Sequence, residues 1–96
     1  MKVSYSDQSL AELQTIHRDL MALNPVAAKR FADRIFQVHE QIENFPNGFQ
    51  EVSSRAGIRR APLVHFPYLV FYKVSTDAVM VLSVRHGARE DLTDNL

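Results

Sequence analysis

The chain has 96 residues, 46% of them apolar, no cysteine, and 11 basic against 11 acidic residues for a net charge of zero. That length suits one domain around a single contiguous core, read here as residues 1–96. The composition excludes disulfides and thiolate metal sites, and no apolar run approaches the roughly 18 residues a membrane-spanning helix needs.

Lys2 to Tyr5 alternates and is β-prone, so it reads as a short first strand. Ser6 and Asp7 are N-cap candidates, and Ser9-x-x-Glu12 matches the capping-box pattern. Leu10, Leu13, Ile16 or His17, Leu20 and Leu23 then recur at three- and four-residue spacing, the stripe of an amphipathic helix. Asn24-Pro25 ends that helix and starts another, because proline at a first helical position lacks only an N–H that has no partner there anyway. Ala28, Phe31, Ala32, Ile35, Val38 or His39, Ile42 and Phe45 mark the second helix's inner face, and Pro46-Asn47-Gly48 stops it. The two helices are expected to fold back on each other as a hairpin.

Residues 47–57 read as a loop. Ile58 to Phe66 reads as a strand whose Pro62 points to a sheet edge or bulge. Tyr68–Val74 and Val79–Arg85, joined by Ser75-Thr76-Asp77-Ala78, have the form of an antiparallel hairpin, and Glu90 to Leu96 reads as a frayed tail. The order is β-α-α-β-β-β. The fold class is α+β, a helical hairpin packed on a small antiparallel sheet.

Charge is uneven along this neutral chain. From Val52 to Arg89 six basic residues (Arg55, Arg59, Arg60, Lys73, Arg85 and Arg89) face one acid, Asp77. Alternation along the last strand puts Met80, Leu82 and Val84 on one side, the more apolar, expected against the helices. Arg85 then falls on the opposite, open face. His86, beside Gly87 and two arginines, has the chemistry of a general acid or base near neutral pH, and equally of a strand-end histidine bonded to backbone. The planar forks of Arg59, Arg60, Arg85 and Arg89 suit phosphates or acidic side chains. His65 is a weaker candidate, and His17 and His39 read as packing residues. No nucleophile motif, phosphate-cradling glycine loop, carboxylate pair or metal-ligand spacing occurs, so no cofactor and no metal are expected. The N-terminus, MKVSYSDQSL, has no long apolar segment, so a cytoplasmic location is expected.

Taken in order, the first strand, the capped helical hairpin, Ile58-Arg59-Arg60-Ala61-Pro62, the run from Phe66 to Val74 with Tyr68-x-x-x-Tyr72, and the ending Arg85-His86-Gly87-Ala88-Arg89 resemble the RelE/ParE superfamily of type II toxin–antitoxin toxins, in its ParE-like branch. The resemblance spans nearly the whole chain. It implies a growth-inhibiting toxin neutralised by, and in a hetero-oligomer with, a cognate antitoxin, and no role at a membrane. ParE-like members imply DNA gyrase as target. That makes the chain a non-enzymatic binder whose contact patch is Arg59, Arg60, Arg85, His86 and Arg89. RelE-like members imply metal-free cleavage of mRNA on the ribosome, with His86 as acid or base and Arg60 and Arg85 on the phosphate. The tail has no aromatic residue and the chain is poor in lysine, which favours the first of these. A decayed toxin that still binds antitoxin is a third reading.

Overall fold

A computed structural model describes residues 1–88 and Leu96; Arg89 and the tail from Glu90 to Asn95 lie outside the described residues. Strand β1 spans Lys2–Tyr5, helix α1 Asp7–Leu23, helix α2 Pro25–Asn44, and strands β2, β3 and β4 span Ile58–Pro62, Tyr68–Val74 and Ala78–His86. The expected element order is the observed one.

Each helix starts where its capping side chain allows. The Ser6 hydroxyl accepts the Ser9 N–H at 3.0 Å, satisfying one of the donors left over at the first turn. Asn24 both closes α1, donating its N–H to the Leu20 carbonyl, and caps α2, accepting the Ala27 N–H at its side chain. One extended residue, at φ −158° and ψ 94°, therefore makes the whole junction. The Ser9–Glu12 capping box does not form. Ser9 is instead the one fully buried residue of α1, its hydroxyl donating to the Val81 carbonyl of β4 at 3.1 Å. The expected leucine stripe is correspondingly shallow. Leu13, Ile16 and Leu20 pack against the core, while Leu10 and Leu23 are exposed.

The sheet runs β1-β4-β3-β2. β2–β3 and β3–β4 are antiparallel, but β1 pairs in parallel with Ala78–Val81 of β4, so the sheet is mixed rather than wholly antiparallel. β2 ends at Pro62, not Phe66. Leu63 to Phe66 form a turn in which His65 takes a left-handed backbone, φ 74°. Pro62 sits where its missing N–H costs nothing, on the outermost strand. On the far side of β2 the 47–57 loop doubles back, Val52 donating to Ile58 and Arg60 to Gln50.

The core lies between the helices and one sheet face. Phe31, Val38 and Ile42 of α2 meet Val70, Tyr72, Val79, Val81 and Val84, with Val3 and Ala61 at its flanks. The inward face of β4 differs from the one simple alternation predicts. Val79 and Val81 face the core and Met80 is exposed, because the β3–β4 register slips between Phe71 and Tyr72, pairing Tyr72 with Val81 and Phe71 with Ser83. The extra residue, Leu82, is a bulge that resets the pleat, so Val84 also faces inward.

Two tyrosines anchor the core's rim. The Tyr5 hydroxyl lies 2.7 Å from His39 Nδ1, and the Tyr72 hydroxyl donates to the Pro46 carbonyl at 2.7 Å. Burial pushes both phenols above the ordinary value of 10.0, in Tyr72 against the opposing pull of Arg59 and a backbone hydrogen bond. Below that pH both folded and unfolded chains hold these protons. Above it the unfolded chain releases them first, so stability falls as pH rises from 10.0. Urea midpoints between neutral pH and pH about 11.5 are expected to drop in that window. Tyr5→Phe and Tyr72→Phe should each flatten the drop.

Candidate functional site

The bulge and the alternation of three strands decide which basic residues meet. Opposite the helices, Arg60 pairs with Phe71 and Phe71 with Ser83, while Pro62 pairs with Leu69 and Leu69 with Arg85. Lys73 lies between Ile58 and Met80 in the next row. Arg60, Lys73 and Arg85 therefore share one face, with Leu69, Phe71 and Met80 among them. Arg60 and Arg85 are two strands and one two-residue row apart, about 12 Å between Cα positions. Arg60 is exposed and lines a shallow cleft of about 450 Å³ with Phe49, Pro62 and Leu69.

Arg85 is on this face but is not a surface residue, since only 4% of it is exposed. Its Nε donates to the Ser83 hydroxyl at 2.8 Å, and Ser83 donates onward to the Glu12 carboxylate at 2.8 Å. The same carboxylate accepts the Val84 N–H at 3.0 Å. The reason lies in strand length. β1 stops at Tyr5, opposite Val81, so β4 runs on from Leu82 with no strand beside it. Side chains of α1 close that edge. Ser6 donates its hydroxyl to the Leu82 carbonyl at 2.9 Å, and Glu12 takes the Val84 N–H. Glu12 thus seals a sheet edge and, through one serine, fixes an arginine.

The other predicted residues lie off this face, although His86 still shares a cleft with Arg85. Arg59 is on the helix side, where Nη1 donates to the Phe49 carbonyl at 2.6 Å; it holds the 47–49 segment onto the sheet. His86 is also on the helix side, its ring 5.6 Å from that of Tyr68 in an edge-to-face contact. His86 Nδ1 accepts the Ala88 N–H at 3.1 Å, which places the proton of the neutral ring on Nε2. With Arg85, Tyr68, Glu12 and Ile16 it borders a cleft of about 330 Å³ between α1 and the sheet end. Arg89 lies outside the described residues. Of the five contact residues expected, the structure brings Arg60 and Arg85 onto one face and turns Arg59 and His86 to the other. His39 bonds Tyr5 and stacks on it, while His17 is exposed.

Lys73, Met80 and Glu12 join the site although none of them is among the contact residues expected from the sequence. Alternation from Phe71 along β3 places Lys73 on the basic face and was available. Glu12 carried a capping-box signal, which pointed to the wrong partner.

Among the described residues no helix is long and apolar enough to cross a membrane. The chain matches the family model described as the ParE toxin of the type II toxin–antitoxin system, parDE, over residues 3–91. Among solved structures it is similar to a chain of the chromosomal ParDE toxin–antitoxin system from P. aeruginosa, with TM-score 0.78 and 19% identity over 90% of this chain and 95% of that one. It is also similar to the YoeB dimer from Staphylococcus aureus (TM-score 0.65, 14% identity, 90% of this chain and 95% of that one). A YoeB/ParE toxin from Agrobacterium tumefaciens gives TM-score 0.63 at 15% identity, with 90% and 98% covered. No curated protein matches. At these identities the structural likeness is one of fold.

Proposed function

The chain belongs to the ParE toxin family of type II toxin–antitoxin systems, and from that premise we propose that it stops growth by binding DNA gyrase and is neutralised in a complex with a cognate antitoxin. The observation that carries this reading is the division of the candidate residues between two sheet faces. Metal-free RNA cleavage needs an acid or base and phosphate-holding cations around one reacting atom. Here, among the described residues, the one cation that lines a cleft with His86 is Arg85, which is buried and bonded to Ser83, while the exposed Arg60 and Lys73 stand on the opposite face. What the face with Arg60 offers is the exposed cations Arg60 and Lys73 beside Met80 and the part-exposed Leu69, a mixture of charge and apolar area that suits a protein partner. The antitoxin is expected to lay a segment that folds on binding along the hairpin and sheet, and Leu23, Val26 and Phe36 supply exposed apolar area on the hairpin.

The test is a titration of the purified chain into gyrase supercoiling and cleavage assays. Inhibition at micromolar chain is expected, together with a DNA-damage response and ongoing translation when the chain is induced in a sensitive host. Arg60→Glu, at an exposed position, should keep the melting temperature and weaken inhibition by about tenfold or more. Untouched gyrase at those concentrations rejects the reading. Rapid translation arrest with cleaved mRNA replaces it with the ribosomal one.

A further inference from the structure

A further cleft shares no residue with those lined by Arg60 or His86. It has a volume of about 740 Å³ and lies between α2 and the turn after β2, with Ala27, Arg30, Asp33 and Arg34 on one wall and His65 and Phe66 on the other. Arg30 and Arg34 are one helical turn apart, so their side chains emerge about 6 Å from each other on the same stripe. Neither arginine makes an ion pair or a side-chain hydrogen bond among the described residues. Asp33, although it shares the wall, is not within 4.0 Å of either guanidinium nitrogen set. The opposite wall is held in an unusual shape. His65 occupies the left-handed region at φ 74°, where a residue with a Cβ is uncommon, and Phe66 is braced from behind by Phe31 in an edge-to-face contact at 5.6 Å.

We infer that this cleft is a docking site for an acidic peptide segment of a protein partner, with carboxylates on Arg30 and Arg34 and an apolar side chain between them turned to the opposite wall, against Phe66. Guanidinium forks bind carboxylates in pairs of hydrogen bonds. The 6 Å interval fits carboxylates two apart on an extended chain or four apart on a helix. A nucleic acid fits less well. Its backbone presents a charge at every linkage, which Asp33 opposes, and it has nothing apolar to place on Phe66 except by turning a base inward. The site is independent of the gyrase target and does not rest on it.

The experiment uses the full chain and a labelled peptide of the form Gly-Ser-Glu-Leu-Glu-Ser-Gly, with its glutamine counterpart, at low ionic strength. Binding is followed by anisotropy and by amide chemical shifts. The glutamate peptide is expected to bind, with shifts concentrated in residues 27–37 and 63–66, and the glutamine peptide to bind at least about tenfold more weakly. The double change Arg30→Gln with Arg34→Gln should lose about tenfold or more, with an unchanged melting temperature. Asp33→Asn should tighten binding by about two- to fivefold, an increase that a merely structural role for Asp33 does not produce. Equal binding of the two peptides, shifts centred elsewhere, or no binding at millimolar peptide overturns the inference. So does a uridine oligonucleotide that binds this cleft more tightly than the peptide.

Discussion

Glu12→Ala is expected to destabilise the chain by about 2–3 kcal/mol, a large loss for a half-buried surface carboxylate. Three donors converge there. The Val84 N–H and the Ser83 hydroxyl bond the carboxylate directly, and Arg85 reaches it through the serine. Alanine leaves the Val84 N–H on a strand edge that α1 still covers, and it removes the acceptor that lets Ser83 present its lone pair to Arg85. Both groups lose partners where water has little access, so the cost is that of unmade hydrogen bonds rather than of bonds exchanged with solvent. Glu12→Gln is the informative control. It keeps an acceptor oxygen at the same reach and should cost about 1 kcal/mol or less. Glu12→Asp, one methylene short, should fall between the two. Urea unfolding of the three variants measures the series. If alanine and glutamine cost the same, charge rather than hydrogen bonding holds the edge. If neither costs anything, α1 does not seal β4 at all.

That same network marks where the sequence could be read and where it could not. The helix boundaries and the β3 strand were legible because their signals are local: Ser6 and Asn24 cap, Pro25 starts, and the apolar runs have the period of their element. The mixed sheet was not legible, since whether β1 runs with or against β4 depends on where a 17-residue and a 20-residue helix deliver the chain. Nor was the face of β4. Period-two alternation from Val79 to Arg85 assumes an unbroken ladder, and the bulge at Leu82 breaks it in the middle, exchanging Met80 for Val81 in the core. Arg85 illustrates the compounding effect. Its side of the sheet was inferred correctly, but only the stop of β1 at Tyr5 and the reach of Glu12 make it a buried, hydrogen-bonded residue. Ser9 and Glu12 looked like a cap because capping and edge sealing use the same residue types at the same spacing.

Phe31→Ala should be the more damaging core substitution, costing about 3–5 kcal/mol. Only 2% of Phe31 is exposed, and its ring meets Phe66 at 5.6 Å and Tyr68 at 5.8 Å, both edge to face. It is the side chain through which α2 grips both the β2–β3 turn and the start of β3. Truncation therefore opens a cavity walled by two rings that cannot both move in to fill it, and loses two aromatic contacts as well. Against a total stability of about 5–15 kcal/mol for a domain of this kind, such a loss brings the variant close to unfolding at growth temperature. Thermal melts should show a fall of roughly 12–40 °C, at about 4–8 °C for each kcal/mol. Phe36→Ala, the same change one helical turn and a residue further along α2, should shift stability by no more than about 0.5 kcal/mol, because 64% of Phe36 is exposed. The contrast separates core packing from helix propensity, which the two changes alter alike. Equal losses at both positions would place the core on the wrong side of α2. A large loss at Phe31 alone also carries a consequence for the cleft beside it. Phe66, unsupported, should no longer hold the wall opposite Arg30 and Arg34, so the milder Phe31→Leu, still folded, should weaken the acidic peptide without touching a charge.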